Sequence, residues 1–86
     1  MVHIRDEIFA FLMTQDKHDE DTLVIYDFKQ NKVSLFIHGV KGIIPMGTDP
    51  TKGEVRLLLF YKKTEVGVID TQSLLVSQIA KFKYSI

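Results

Sequence analysis

Hydrophobic residues in the first fourteen positions recur at the spacing of one helix face, i, i+4, i+7 and i+8. The residues that form this stripe are Ile4, Ile8, Phe11 and Leu12. Phe9 and Met13 widen the stripe beyond what a surface helix needs. We therefore predict an amphipathic helix over residues 3–14 that packs on a sheet and contacts a second chain through Phe9 and Met13.

From Thr22 onward, β-branched and aromatic residues come in short runs separated by turn residues, which is typical of antiparallel strands. The predicted strands span residues 22–28, 33–38, 43–46, 54–61 and 65–70. Pro45 lacks an amide N–H, so it marks the third run as an edge strand or an irregularity.

Residues 71–86 leave two alternatives open. The spacing of Leu75, Ile79 and Phe82 suits a short helix that begins near Thr71 or Ser73. The strict alternation of apolar and polar residues at the end of the chain instead favours a strand. We favour a terminal strand, at least from Ala80.

Two of the predicted strands are apolar on both faces. Leu23 and Ile25 alternate with Val24 and Tyr26, and the run 55–61 is apolar at almost every position. A sheet with one face in water would show polar residues on that face. The second apolar face of these strands is either buried inside a sandwich or small barrel, or it forms an interface between chains.

These patterns predict one domain over residues 1–86, of α+β class and mostly β. The helix over residues 3–14 packs on a β-rich body over residues 22–86. That body is expected to be a small antiparallel sheet, sandwich or open barrel. Because the apolar supply exceeds what one helix and a small sheet need, we also expect a homo-oligomer.

Composition narrows the function classes. The chain has 86 residues, 45% hydrophobic, and no cysteine, which excludes disulfide scaffolds, thiolate zinc sites and cysteine nucleophiles. No apolar run approaches the roughly 18 residues that cross a bilayer, and the first fifteen residues lack the pattern of a signal peptide. We therefore predict a cytoplasmic protein without a membrane partner.

Charge is balanced overall but unevenly distributed. Residues 1–28 carry seven acidic and two basic side chains, a net charge of −5, whereas residues 29–86 carry nine basic and four acidic ones, a net charge of +5. Opposite net charges of this size attract each other within one subunit or between subunits.

Groups that could support catalysis are few. His3, His18 and His38 show no metal-ligand spacing, and the acidic residues around His18 do not match a calcium loop. In the loop 47–53 the lysine precedes the second glycine and a strand follows, so the requirements of a phosphate-binding loop are not met. We expect no enzyme activity and no catalytic residue, bound metal or cofactor.

Five lysines are the candidates for contact with a nucleic acid or another anion: Lys52, Lys62, Lys63, Lys81 and Lys83. Near the end of the chain, however, lysines and aromatic residues alternate, which puts them on opposite faces of a strand. The chain also has only two arginines. Nucleic-acid binding is therefore the less favoured hypothesis.

The order of features over residues 21–70 resembles the tryptophan RNA-binding attenuation protein (TRAP) family. The residues that carry the resemblance are 21–25 (Asp-Thr-Leu-Val-Ile), the strand ending at Gly39, 52–55 (Lys-Gly-Glu-Val), Phe60 and Thr64. The resemblance implies a β-rich oligomer. Of the functional residues of the family, it implies a role here only for Lys52 and Thr64. Leu59 and Tyr61 stand where the family has a ligand-binding Gln and Thr, and its basic strand is missing from 66–70.

We predict a small binding module that is not an enzyme and that acts through protein surfaces as a regulator or inhibitor. Its partners are expected to be other copies of itself and a larger target. The alternative is an oligomeric RNA- or small-ligand-binding regulator of TRAP-like type. The predicted partner interface consists of Phe9, Met13, Leu58, Phe60 and Tyr61.

Overall fold

The computed structural model describes residues 1–14, 21–49 and 51–84, and every regular element in these ranges is a β-strand. The strands are β1 (Val2–Arg5), β2 (Ile8–Thr14), β3 (Asp21–Asp27), β4 (Lys32–Val40), β5 (Gly42–Thr48), β6 (Val55–Tyr61), β7 (Glu65–Asp70) and β8 (Val76–Lys81). Consecutive strands pair antiparallel in two four-stranded sheets. β1–β4 form the first sheet and β5–β8 the second.

The chain passes from the first sheet to the second at a single residue, Lys41, between β4 and β5. Gly39 has a φ of 77° there, a left-handed conformation that glycine adopts without steric cost. The Lys41 N–H donates to the Tyr61 carbonyl oxygen at 2.8 Å. This bond fixes the end of β4 beside the end of β6.

The core lies between the two sheets. Side chains alternate along each strand, and the inward positions of both sheets form one buried cluster. Its fully or almost fully buried members are Ile4, Ala10, Leu23, Ile25, Val40, Leu58, Phe60 and Ile69. Cross-strand partners such as Ala10 and Ile25 share the inner face. The residues directly before and after each of them in the same strand therefore point outward.

The predicted N-terminal helix is wrong, and with it the α+β class, because residues 3–14 lie in β1 and β2 and the two sheets are all-β. A turn at Asp6, whose φ is 46°, separates these strands. Along β2, Ile8 and Ala10 face the core, whereas Phe9 and Phe11 face outward. Apolar residues on both faces of a strand also satisfy a helical spacing, so this pattern does not distinguish a strand such as β2 from a helix.

The C-terminal alternative is decided in favour of a strand. β8 runs from Val76 to Lys81, so it begins earlier than Ala80 and ends before Phe82. The turn before it contains Leu74 with a φ of 61°, and the Leu74 N–H donates to the Asp70 carbonyl oxygen at 2.7 Å. That tight turn replaces the helix that the spacing of the apolar residues allowed.

Each of the four edge strands is short or irregular. β1 has four residues, and its register shifts between His3 and Arg5. β4 pairs with β3 through two register shifts, β5 contains Pro45, and β8 pairs with β7 through one shift. Short strands, proline and bulges prevent further strands from adding to a sheet, so the faces of the sheets are better surfaces for recognition than their edges.

Candidate functional site

The outer face of the first sheet is lined by aromatic and aliphatic side chains, and we call it the aromatic face. Its apolar members are Phe9, Phe11, Met13, Val24, Tyr26, Phe28, Val33 and Phe36. Phe9 pairs with Tyr26, and Val24 pairs with Phe11 on one side and Phe36 on the other. These cross-strand pairs place the members side by side on the sheet.

The aromatic rings contact one another. The ring centroids of Phe9 and Phe28 are 5.6 Å apart at 80°, and those of Tyr26 and Phe28 are 4.7 Å apart at 60°. The His3 ring lies 4.8 Å from Phe9. Edge-to-face pairs at these distances are attractive, so the rings are held in place before any partner binds.

The aromatic face is largely open to solvent. Phe36 is 59% exposed and Met13 52%, with Phe28 and Val33 close to half exposed. Val24 is buried between the side chains that flank it on the neighbouring strands. A contiguous exposed apolar patch of this kind is a characteristic of an interaction site.

Charge is excluded from this face. By the alternation along β1–β4, no Asp, Glu, Lys or Arg of the described ranges stands at an outward position of the sheet. The polar residues there are Thr22 and the two histidines His3 and His38. The His38 Nδ1 shares a hydrogen bond with the Thr22 hydroxyl at 3.0 Å, and its ring lies 5.3 Å from the Phe36 ring.

The outer face of the second sheet is also apolar but carries no aromatic cluster, and we call it the aliphatic face. Its members are Ile44, Met46, Leu57, Leu59 and Val68. Ile44 is 50% exposed, Met46 42% and Leu57 37%, so this face reaches the exposure of Phe28 but not that of Met13 and Phe36. The molecule therefore presents two apolar surfaces on opposite sides.

Four of the predicted anion-contacting lysines lie at one end of the second sheet, which we call the lysine end. Lys62 and Lys63 occupy the turn between β6 and β7, Lys81 pairs with Glu65, and Lys83 follows β8. The Phe82 N–H donates to the Thr64 carbonyl oxygen at 2.6 Å, which joins the turn to the end of β8.

Two other lysines, Lys41 and Lys52, lie at different ends of the second sheet. Lys41 also lies at the lysine end, through its bond to Tyr61. Lys52 is in the loop before β6 and therefore lies at the opposite end of that strand. The structure thus brings together four of the five predicted lysines and separates the fifth.

The predicted interface residues fall in different layers. Phe9 and Met13 lie on the aromatic face, with Met13 exposed and Phe9 half-buried. Leu58 and Phe60 are buried in the core, so they are not surface residues. The Tyr61 ring covers Gly42, where an added Cβ would overlap it.

Sequence reasoning missed Phe28, Val33 and Phe36 as interface candidates. The alternation of Val24, Tyr26 and Phe28 with the core residues of β3 was the available signal. It became a surface only when β2 and β4 placed further aromatic residues beside that strand.

A cavity of about 200 Å³ opens between β4 and the second sheet. It is lined by Ile37, Phe60, Lys62, Glu65, Val66, Gly67, Val76 and Gln78. Gly67 leaves room for the Phe60 ring, since a Cβ there would overlap it. The lining is mostly apolar, and its charged members come from the β6–β7 turn, at the rim of the second sheet.

The side chains of Asp49 and Asp70 accept hydrogen bonds within turns. The Thr51 N–H donates to the Asp49 carboxylate at 2.8 Å and lowers the pKa of Asp49. N–H groups of Gln72 and Ser73 lower the pKa of Asp70 in the same way. Both carboxylates are therefore held ionised as turn-stabilising acceptors.

The described ranges contain no group of three or more His, Asp or Glu side chains arranged to hold a metal ion. They contain no helix long and apolar enough to cross a membrane. His18 and its acidic neighbours at 15–20 lie outside the described residues.

No protein-family model matches the chain, and no curated protein or solved structure matches it. The resemblance to the TRAP family is therefore neither supported nor contradicted. Fold comparison and homology give no functional information, so the proposals below rest on the surfaces of this molecule.

Proposed function

We propose that this protein is a non-enzymatic, self-associating binding module that acts through protein surfaces as a regulator or inhibitor, with the aromatic face as its protein-binding surface. The observation that supports this function is the uncharged outer face of the first sheet, where Phe28 and Phe36 are at least half exposed. Aromatic residues and methionine are enriched at protein interfaces, and charged residues are depleted at interface centres.

The energetic argument is the removal of this surface from water. A phenylalanine side chain buries about 150–250 Å², so Phe28 and Phe36, each at least half exposed, hold roughly 100 Å² apiece in solvent. At about 25 cal/mol per Å², burial of either one is worth roughly 2.5 kcal/mol. Few residues of this kind suffice to dominate an interface.

Site-specific photo-crosslinking tests this function. A benzophenone amino acid replaces Phe36 in one variant and Met46, on the aliphatic face, in a matched control. After irradiation in cells of the native host, we expect a cross-linked protein adduct from position 36 and little or none from position 46. Equal labelling at both positions, or none at position 36, would contradict the proposal.

A second candidate function is supported by the lysine end. Lys62, Lys63, Lys81 and Lys83 lie together there, beside the exposed rings of Phe82 and Tyr84. The Lys83 Nζ is 5.8 Å from the centroid of the Tyr84 ring. Lysines with neighbouring aromatic rings are typical of surfaces that bind single-stranded nucleic acid, as the RNA-binding alternative requires.

This second candidate predicts affinity for an oligonucleotide that falls steeply with salt, because each phosphate contact releases counterions. Fluorescence anisotropy with a labelled single-stranded RNA measures that dependence. The double variant Lys62→Glu/Lys63→Glu is expected to abolish binding, whereas Lys52→Glu, at the other end of the sheet, retains it. Equal loss in both variants would indicate non-specific charge attraction and count against the lysine end.

A further inference from the structure

We infer that the partner of the aromatic face is a second copy of this chain, with the first sheets of the two copies packed face to face about a two-fold axis. This inference rests on the proposed function and names its partner. Electrostatics, surface shape and area each support a second copy as the occupant of this face.

Electrostatics favours a partner surface without charge. Burying an unpaired charge is costly, so a face without Asp, Glu, Lys or Arg at its described outward positions is best covered by another uncharged face. A second copy supplies such a face by construction. A partner with charged side chains at the contact would leave them desolvated and unpaired.

Shape also favours a second sheet. Sheets share a right-handed twist, and two of them pack face to face with their strands about 30° apart. The aromatic face is the outer side of four paired strands, so an identical face has the matching twist. Packing the two faces about a two-fold axis is isologous, and the assembly closes as a dimer.

The area of the face agrees with a dimer of ordinary size. Met13, Phe28, Val33 and Phe36 are each about half exposed or more. With the partly exposed Phe9, Phe11 and Tyr26, they present on the order of 500 Å² of apolar surface. A standard interface buries about 800 Å² per partner, and its rim is polar. The aromatic face thus supplies the apolar centre of such an interface.

The other surfaces are less suited to a closed dimer. Each edge strand is interrupted by a bulge, a proline or its own shortness. Contact between the aromatic face of one copy and the aliphatic face of the next would be heterologous, and such contacts propagate into open filaments unless the rotation closes a ring.

Light scattering after gel filtration tests the inference. We expect the wild-type protein to have twice the 9.9 kDa chain mass. Phe36→Lys is expected to raise the dissociation constant roughly tenfold or more, as loss of an interface hot spot does. Met13→Lys provides a second variant on the same face, and Met46→Lys, on the aliphatic face, is the matched control that retains the dimer.

Circular dichroism establishes that each variant is folded, which is expected because all three side chains are substantially exposed. Dimer loss in Met46→Lys but not in the other two variants would overturn the assignment of the surface. A monomeric wild type that is cross-linked from position 36 to a different protein would overturn the inference that the partner is a second copy. The aromatic face would still stand as the protein-binding surface. A monomer that gives no adduct would overturn both.

Discussion

At the residue scale, two glycines are required because aromatic rings occupy the space of a side chain. An added Cβ at Gly67 would overlap the Phe60 ring, and one at Gly42 would overlap the Tyr61 ring. Neither glycine has a positive φ, so the requirement is steric. Each ring therefore closes over the neighbouring strand, and the Phe60 ring fills the core from there.

We predict that Gly67→Ala destabilises the fold by about 1–3 kcal/mol, the usual cost of overpacking a core. The alanine methyl group must displace the Phe60 ring or the backbone of β7. Urea unfolding followed by circular dichroism measures the change in the free energy of unfolding.

The control for this prediction is the same substitution in a Phe60→Leu background. With the ring removed, the additional cost of Gly67→Ala should shrink, as a double-mutant cycle reports for residues in contact. An equal cost in both backgrounds would show that the methyl group and the ring do not compete for space.

The two faces of β6 are both apolar but differ in burial. Leu58 and Leu57 are neighbours in sequence and chemically equivalent, yet Leu58 is fully buried and Leu57 is 37% exposed. The charged residue of the run 55–61, Arg56, has the same strand parity as Leu58 and Phe60, so the alternation indicates the wrong face as the exposed one. The prediction of Leu58 and Phe60 as interface residues is wrong because both side chains are buried in the core.

At the element scale, aspartates stabilise three of the turns. The side chains of Asp27, Asp49 and Asp70 each accept hydrogen bonds from the N–H groups two and three residues later. Such Asx turns replace backbone bonds that the strands cannot supply. Their sequence signal is local, and the sequence predicts a turn after Asp27 and a loop around Asp49. After Asp70 it predicts only a helix or a strand, so the third turn is seen in the structure alone.

The pH dependence of stability follows from the turn at Asp70. Hydrogen bonds from Gln72 and Ser73 lower the pKa of Asp70 in the folded protein. The stabilisation is therefore fully present above the unfolded pKa of about 3.9 and is lost as the pH falls through the lower folded value. We expect Asp70→Asn to make unfolding less dependent on pH below about 4.

Urea unfolding of wild type and Asp70→Asn at pH 6 and pH 3 measures this effect. The difference in stability between the two proteins should be larger at pH 6, where the wild-type carboxylate is ionised in both states. A constant difference across this range would show that the hydrogen bonds at Asp70 do not depend on its charge.

The N-terminal hairpin shows the limit of reasoning about single elements. Residues 3–14 satisfy a helical spacing because both faces of β2 are apolar. A strand and a buried helix are not distinguished by such a run. Residues 8–14 form a strand because β2 pairs with β3 over seven residue pairs and with β1 on its other side.

At the scale of the whole molecule, hydrogen bonds from Arg5 to Thr71 join the two sheets away from the apolar core. Arg5, at the end of β1, donates from Nη2 to the Thr71 carbonyl oxygen at 2.7 Å. The buried Thr71 hydroxyl in turn donates to the Val55 carbonyl oxygen at 2.6 Å. Thr71 thus links β1, the start of β6 and the turn after β7.

We predict that Thr71→Val destabilises the protein by about 1–3 kcal/mol, because the buried Val55 carbonyl loses its side-chain donor. Thr71→Ser keeps the hydroxyl and should lose less. Thermal unfolding of the two variants tests the link. Thr71→Val keeps the γ-methyl group and removes only the hydroxyl, so a Thr71→Val variant as stable as the wild type would show that the hydrogen bond does not stabilise the fold.

The sequence by itself determined where most strands and turns lie, since alternation, β-branched residues and Asx turns are local properties. It also predicted a surplus of apolar strand surface. Only the tertiary structure decided which face of each strand became core, that residues 3–14 form a hairpin, and that aromatic residues from β2, β3 and β4 form one surface. The physical reason is that strands gain their hydrogen bonds and buried area from partners distant in sequence, which a local pattern does not specify.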